Sequence, residues 1–314
     1  MTRQIRVKAL AKINLDLRVL GQRADGYHEL RTIFQTISLA DTLDICFTPA
    51  RKSSIELRDS HDIPDNLVVR AARLVLEAAR VTGRVEMQLE KRIPMGAGLG
   101  GGSSDAAAVL LALPVLAGRV LPVPALCALA QQMGSDISFF LLGGTAVGIG
   151  RGSEVFPMPD APARRGILIA PGVHVSSARA YADLSPYLTT ELQQNKIFSF
   201  QVDSWGDPSV GGAGGAAEND FEPVVFAREN RLAALKRRLV RAGASPAMMT
   251  GSGSALFGLL PDRAAVSRAL DRFEDENTFR ISLVSRARYR GMWWRALSPH
   301  IEQKVWPPRS RYAR

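Results

Sequence analysis

Pro94-Met95-Gly96-Ala97-Gly98-Leu99-Gly100-Gly101-Gly102-Ser103-Ser104 runs without a break into Asp105–Leu113, a stretch of Ala, Val and Leu. The second segment has high helix propensity. Glycine admits backbone conformations closed to other residues and lets a ligand come close to the chain. Successive amides of such a loop can turn toward one anion. A helix that starts directly behind it adds its free N–H groups and the positive end of its dipole. The stretch is therefore expected to hold phosphate, with Ser103, Ser104 and Asp105 capping the helix start. It is not a Walker A loop, because no Lys follows the last glycine. Nor is it the dinucleotide fingerprint, because the next segment is helical and Pro114 follows it. A plain glycine linker would not run from a strand into a capped apolar helix. Gly211–Gly215 lacks that context and does read as linker, within a Gly-rich flexible insertion at Ser204–Ala217.

Upstream, Ile5–Val19 reads as a strand, a tight passage at Lys12–Asn14 and a second strand; Thr32–Ser38, Thr42–Thr48 and Val85–Leu89 read as further strands. Asp25–Gly26 is turn chemistry. Asn66 opens an amphipathic helix, Leu67–Ala79. Downstream, Ala125–Met133 is a helix and Asp136–Leu142 a short apolar segment. Pro157, Pro159 and Pro162 make a hinge, Gly166–Ala170 is a buried strand, and Asn219–Arg241 is a helix closed by Gly243. Met248–Thr250 and Ala255–Leu260 flank Gly251–Ser254, and Asp262–Phe273 is a helix capped by Asp262. Strands and helices without strict alternation indicate an α+β fold. At 314 residues the chain is expected to hold two domains, 1–157 and 158–298, followed by a basic tail, 299–314.

Hydrophobic residues at 46% and charged residues at 22% suit a globular enzyme. The net charge is +10 and the pI about 10.1, which permits either nucleic-acid binding or an anionic substrate plus a basic tail. Arg286, Arg288, Arg290, Arg295, Lys304, Arg309, Arg311 and Arg314 face only Glu302, so the tail is expected to be solvated and poorly ordered. Cys46 and Cys127 read as small core residues in a reducing compartment. Charges interrupt Met1–Leu20, so it does not read as a signal peptide. No apolar run reaches the roughly 18–20 residues of a membrane span. A cytoplasmic enzyme is the expectation. His28, His61, His174 and His300 have no metal-ligand spacing.

The glycine loop resembles the signature of the GHMP kinases, the family of galactokinase, homoserine kinase, mevalonate kinase and phosphomevalonate kinase. Other stretches, in order, resemble the branch that acts on a cytidyl sugar alcohol in isoprenoid precursor synthesis. They are Ala11-Lys12-Ile13-Asn14-Leu15, Gly21–His28, Asp65–Ala72, Gly134-Ser135-Asp136-Ile137-Ser138-Phe139-Phe140 and Thr250-Gly251-Ser252-Gly253-Ser254. The likeness extends from about Lys8 to about Pro299. It implies an N-terminal domain like the second domain of ribosomal protein S5 and a ferredoxin-like C-terminal domain. ATP and substrate would lie in the cleft between them, with Mg2+ as cofactor. A membrane or nucleic-acid partner is not implied, and either a monomer or a homodimer is compatible.

By its residue type alone, Asp136 reads at least as well as a helix cap; the resemblance makes it the base for phosphoryl transfer. Lys12 alone would be a strand-edge lysine; the resemblance pairs it with Asp136, where it would steady the developing charge. Asn14 would hydrogen-bond the polyol. Tyr27 and His28 would hold the cytosine ring, with Tyr181 either a second stacking partner or a core aromatic. Asn66 and Lys91 would lie near the adenine or ribose, although Asn66 is also the natural cap of its helix. Ser103 and Ser104 would bind phosphate or a hydrated magnesium, and no metal ligand is assigned. Gly251–Ser254 either closes over the site or is a plain turn. The alternatives are a mevalonate- or homoserine-type kinase and, from the charge and the S5-like fold, an RNA-binding protein. The clustered aromatic and basic residues of an RNA-reading sheet are missing from the sequence.

Overall fold

The structure, a computed structural model, describes residues 1–23, 25–59, 61, 63–185 and 217–313. The Gly-rich insertion expected at Ser204–Ala217 falls outside them up to residue 216. Two long antiparallel strands form the spine, β1 (Arg3–Gln22) and β2 (His28–Pro49). On the other side of β2 lie β4 (Gly83–Glu90), beside its C-terminal half, and β5 (Thr145–Gly150), beside its N-terminal half. Outside them are β3 (Ser54–Asp59), parallel to β4, and β6 (Glu154–Pro157), which completes a six-stranded sheet. The two strands expected over Ile5–Val19 are one. The tight passage is instead a pair of register shifts, between Leu10 and Lys12 and between Asn14 and Asp16. Such bulges re-aim side chains without ending the strand. They bracket the stretch that carries Lys12 and Asn14. Thr32–Ser38 and Thr42–Thr48 are likewise one strand, β2.

Helices α1 (Leu67–Ala78), α2 (Gly101–Ala117), α3 (Val123–Gln131) and α4 (Ile137–Leu142) belong with this sheet in one core. Side chains of α2 are buried all round from Ser104 to Ala117, as a helix of Ala, Val and Leu must be. Two expectations fail on α2. Pro114 does not end it; the helix runs on to Ala117 and closes at Gly118 with φ +73. Nor do Ser103, Ser104 and Asp105 cap it, because the cap position is Gly100, with φ +68. Ser104 Oγ donates instead to the Leu10 carbonyl at 2.7 Å, and Asp105 turns to Lys91.

The C-terminal half builds a second sheet in the order β10-β7-β9-β8, all antiparallel, from β7 (Arg165–Ile169), β8 (Ala247–Met249), β9 (Leu256–Leu260) and β10 (Thr278–Ser282). Helices α5 (Ser177–Leu184), α6 (Glu222–Arg228) and α7 (Asn230–Arg241) precede β8, and α8 (Arg263–Arg272) precedes β10. This is the ferredoxin-like sequence of elements. The single helix expected over Asn219–Arg241 is α6 and α7, parted at Glu229 with φ −114 and ψ 73. The fold is α+β. Its two sheets meet where Ile13, Leu15, Ile33 and Ile37 pack with Leu168, Phe257 and Ile281. Ile93, Ala97 and Leu99 join that cluster, so the glycine loop is seated on the junction.

The C-terminal stretch is not a solvated tail. After β10 the chain returns to the first core through α9 (Arg286–Ala296), which buries Tyr289 and Trp293 there. Trp306 Nε1 then donates to the Leu141 carbonyl at 2.9 Å and Ser310 Oγ to the Val115 carbonyl at 2.7 Å. Charge counting hid the aromatic residues between the cations: rings pack inward, and two of the cations are held with them, Arg286 on the Met158 carbonyl at 3.1 Å and Arg290 over the Trp306 ring. No helix among the described residues is long and apolar enough to cross a membrane.

Candidate active site

A cavity of about 430 Å³ is lined by Asn66 and Leu67 at the start of α1, by Lys91 and Ile93, and by Pro94–Ser103 with Asp105. Asn66 does cap α1, its Oδ1 accepting from the Val68 N–H at 3.0 Å. The loop is gripped from behind through its carbonyls. Ala255 N–H donates to Ala97 O at 3.2 Å, and Lys12 N–H to Leu99 O at 3.0 Å. The amides of Gly101, Gly102 and Ser103 open α2 and have no acceptor within it. At Gly98 glycine is obligatory: φ is +78, and a Cβ there would stand 2.2 Å from the Thr250 carbonyl oxygen. At Gly100 a Cβ would strike the Phe140 ring at 2.9 Å and the Lys12 stem at 3.2 Å. Ser104 is buried and does not line the cavity; its hydroxyl is committed to β1.

Lys91 is placed between two carboxylates. Its Nζ donates to Asp105 Oδ2 at 2.7 Å and to Asp41 Oδ2. Asp41 Oδ1 in turn accepts from the Ile93 N–H at 2.8 Å and from the Arg92 N–H. Lys91, which lines the cavity beside Asn66, is also an ionic strap between β2 and the first turns of α2. Burial, opposed by Lys91 and seconded by the charge of Asp41, pushes the Asp105 carboxyl up to about 7. Asp105 Oδ1 is buried and has no hydrogen-bond partner among the described residues. A carboxyl raised on folding holds its proton more tightly in the native state. Its contribution to stability is complete below pH ~4 and is lost as pH rises through about 7. Urea unfolding of wild type and Asp105→Asn between pH 4 and 8 should show wild type losing ground with rising pH, by at most roughly 4 kcal/mol. Parallel stability curves would reject the raised carboxyl.

Lys12 and Asp136 come together as expected. Nζ lies 3.4 Å from Asp136 Oδ2, donates to Asn14 Oδ1 at 2.8 Å, and sits 5.4 Å from the centre of the Phe34 ring. Lys12 is buried, whereas the Asp136 side chain keeps 31% of its surface. Asp136 occupies the cap position of α4 without making a capping bond, so its carboxylate is left for the cleft. Asn14 is held by several partners of the protein itself. Its Oδ1 also accepts from Gly251 N–H at 2.9 Å and Thr250 Oγ1 at 3.1 Å, and its amide donates to Thr32 Oγ1 at 2.7 Å. It is buried, at 1% exposure, and with these bonds it positions Lys12.

At the other end, His28 and Tyr181 stack with ring centres 4.7 Å apart, and Tyr181 meets Phe221 edge-on. Burial, with the charge of Asp136 second, pushes the Tyr181 phenol up to about 12, so it stays protonated. Burial also lowers the His28 imidazole, whose Nε2 lies 3.0 Å from Ser185 Oγ. Tyr27 is exposed, with the Arg151 guanidinium 3.8 Å over its ring.

Sequence reasoning passed over Asp41 and Asn219. Asn219 Nδ2 donates to the carbonyls of Met249 and Gly251, both at 2.8 Å, and so clamps the turn that backs the glycine loop. Asp41 carried one signal, an acid inside the apolar run Ile37–Leu43. Asn219 carried none, reading only as the first residue of a helix.

Comparison with known proteins gives the family and the fold. Residues 66–144 match the family model for the GHMP kinases N terminal domain, and residues 210–277 the model for the GHMP kinases C terminal. The 4-diphosphocytidyl-2-C-methyl-D-erythritol kinase of Solibacter usitatus (strain Ellin6076) is 66% identical over 99% of this chain and 98% of its own length. A crystal structure of 4-(cytidine 5'-diphospho)-2C-methyl-D-erythritol kinase superposes with a TM-score of 0.74. It is 34% identical and covers 90% of this chain and 99% of that one. Homoserine kinase from Cytophaga hutchinsonii, 18% identical over 90% of this chain and 95% of its own with a TM-score of 0.66, shares the fold.

Proposed function

The chain belongs to the GHMP kinase family, among the 4-diphosphocytidyl-2-C-methyl-D-erythritol kinases, and from that premise we propose that it moves the terminal phosphate of ATP to the 2-hydroxyl of 4-diphosphocytidyl-2-C-methyl-D-erythritol. It is a small-molecule kinase of isoprenoid precursor synthesis. One observation carries the proposed mechanism. Lys12 is bonded through its backbone to the glycine loop and through its side chain region to Asp136, so the phosphate seat and the base flank a single residue.

The loop amides bind the ATP phosphates in the 430 Å³ cavity, with Asn66 beside the nucleoside. Asp136 orients the acceptor hydroxyl and takes its proton. Lys12 pairs with that carboxylate and steadies charge on the attacking oxygen. Magnesium fits here, since Asp105 lines the cavity with an unpartnered oxygen and Ser103 adds a hydroxyl. When bound, it neutralises phosphate charge. No group of three or more His, Cys, Asp or Glu residues stands ready for a metal among the described residues, so substrate phosphates and water would complete its shell. Residues 1–157 form the nucleotide domain in this reading and residues 158–298 supply Tyr181, with the basic stretch from 299 laid back over the former as far as residue 313. A reducing cytoplasm suits the free cysteines Cys46 and Cys127.

His28 and Tyr181 hold the cytosine. Their 4.7 Å spacing excludes a ring between them, so the base stacks on an outer face. His28→Ala should raise KM for the cytidyl substrate by roughly tenfold, in keeping with base stacking, and leave KM for ATP within about twofold. Steady-state kinetics with each substrate varied checks this. An ADP-release assay with magnesium-ATP, run on the cytidyl substrate, mevalonate and homoserine, tests the function itself. Turnover on either of the last two alone would reject it.

A further inference from the structure

We infer that the groove between β1 and α9 is a second anion site, built for a small organic phosphate or diphosphate with an apolar body. The groove encloses about 420 Å³, within the range of small-molecule pockets. Over Arg3–Leu10, strand β1 pairs with β2 and leaves its outer edge toward α9; farther on, Leu17 is bridged by Asn219. Arg6 and Lys8 come from the strand, Arg288 and Arg295 from the helix, and among the described residues no acid lines the space.

The side chains of Lys8, Arg288 and Arg295 form no hydrogen bond or ion pair among the described residues, while Arg6 is held by Asp44. Gathering unpaired cations in one concavity concentrates positive potential there and draws in a multivalent anion. Guanidinium groups match phosphate oxygens two at a time. Between the cations lie Met292 and Trp293, so the floor offers apolar surface to whatever carries the phosphate. The groove is distinct from the active site, although both lie along β1: Leu10 lines it, and the Leu10 carbonyl receives the Ser104 hydroxyl.

The test is calorimetry on the whole protein with a non-hydrolysable ATP analogue, magnesium and the cytidyl substrate all saturating, so that the active site is full. The probes are inorganic pyrophosphate and hexyl diphosphate. Each should bind at one further site per chain, the hexyl compound tighter by up to about fourfold per methylene buried. Arg288→Glu combined with Arg295→Glu should weaken both at least tenfold and leave kcat and both KM values within twofold. Lys8→Glu, on the other wall, should weaken both probes as well and guards against misfolding of the double variant. Uptake of neither probe, or uptake unchanged in the variants, would overturn the site. Equal affinity for the two probes would overturn the apolar body. Retention of an RNA oligonucleotide with no uptake of either diphosphate would assign the groove to nucleic acid and overturn the proposal.

Discussion

Asp136→Asn is expected to lower kcat by roughly 10²–10⁴-fold, the usual worth of a general base, with KM for ATP close to that of the wild type. The amide keeps the size and most of the hydrogen-bonding surface of the carboxylate but cannot accept the proton of the attacking hydroxyl. The substitution is structurally mild for two reasons. Asp136 makes no capping bond to α4, and nearly a third of its side chain is open to solvent. The substitution does take the counter-charge from buried Lys12, which keeps its bond to Asn14, so a stability loss of roughly 1–3 kcal/mol is expected beside the kinetic effect. Lys12 is a poorer site for such a test. It is buried, bonded to Asn14 and packed on Gly100, so losing it would confound chemistry with the shape of the loop. Single-turnover kinetics beside urea unfolding separates the two effects for Asp136. A folded variant turning over at the normal rate would remove Asp136 from the role of base.

Gly98→Ala should damage both nucleotide binding and stability. The residue has φ +78, a region that costs an L-residue roughly 1–2 kcal/mol. The added methyl would also lie 2.2 Å from the Thr250 carbonyl oxygen and 3.2 Å from that of Gly253. Both obstacles are backbone atoms, so relief requires the turn behind the loop to shift. Overpacking of this kind costs a further 1–3 kcal/mol or so, giving a loss of roughly 2–5 kcal/mol. The same shift would pull on Asn14, which shares Thr250 and Gly251 with the loop, and through it on Lys12. KM for ATP should rise by tenfold or more. Gly102→Ala is the contrast for stability: its nearest neighbour would be Leu67 Cδ1 at 3.8 Å, its φ is not positive, and it lies in α2. There alanine should gain up to about 1 kcal/mol. Denaturation midpoints of the two variants and ATP titrations check the pair. If Gly98→Ala is neutral in both, Thr250 does not back the loop.

The limits of the sequence reading follow the same division between local and distant effects. The helix caps at Asn66 and Asp262 were legible, because a side chain and an amide two or three residues on settle them. The caps expected at Ser103, Ser104 and Asp105 were misread. Leu10 and Lys91 outcompete the helix for the side chains of Ser104 and Asp105, and neither partner is adjacent in the chain. The long strands β1 and β2 were each split in two, because bulges interrupt alternation without ending pairing. The C-terminal stretch was judged by its charge, although its packing is governed by Tyr289, Trp293 and Trp306.

From residue order alone came the glycine loop, the helix behind it and thus a seat for phosphate, since backbone freedom and helix dipole are properties of some twenty consecutive residues. The tertiary structure decided which polar side chains remain for ligands. It spent Asn14 and Ser104 on holding the site together, left Asp136 open, stacked His28 on Tyr181 and set Thr250 against Gly98. A buried polar group must take whatever partner the fold brings within reach, and those partners come from strands and turns up to 237 residues apart, a distance over which no local pattern speaks.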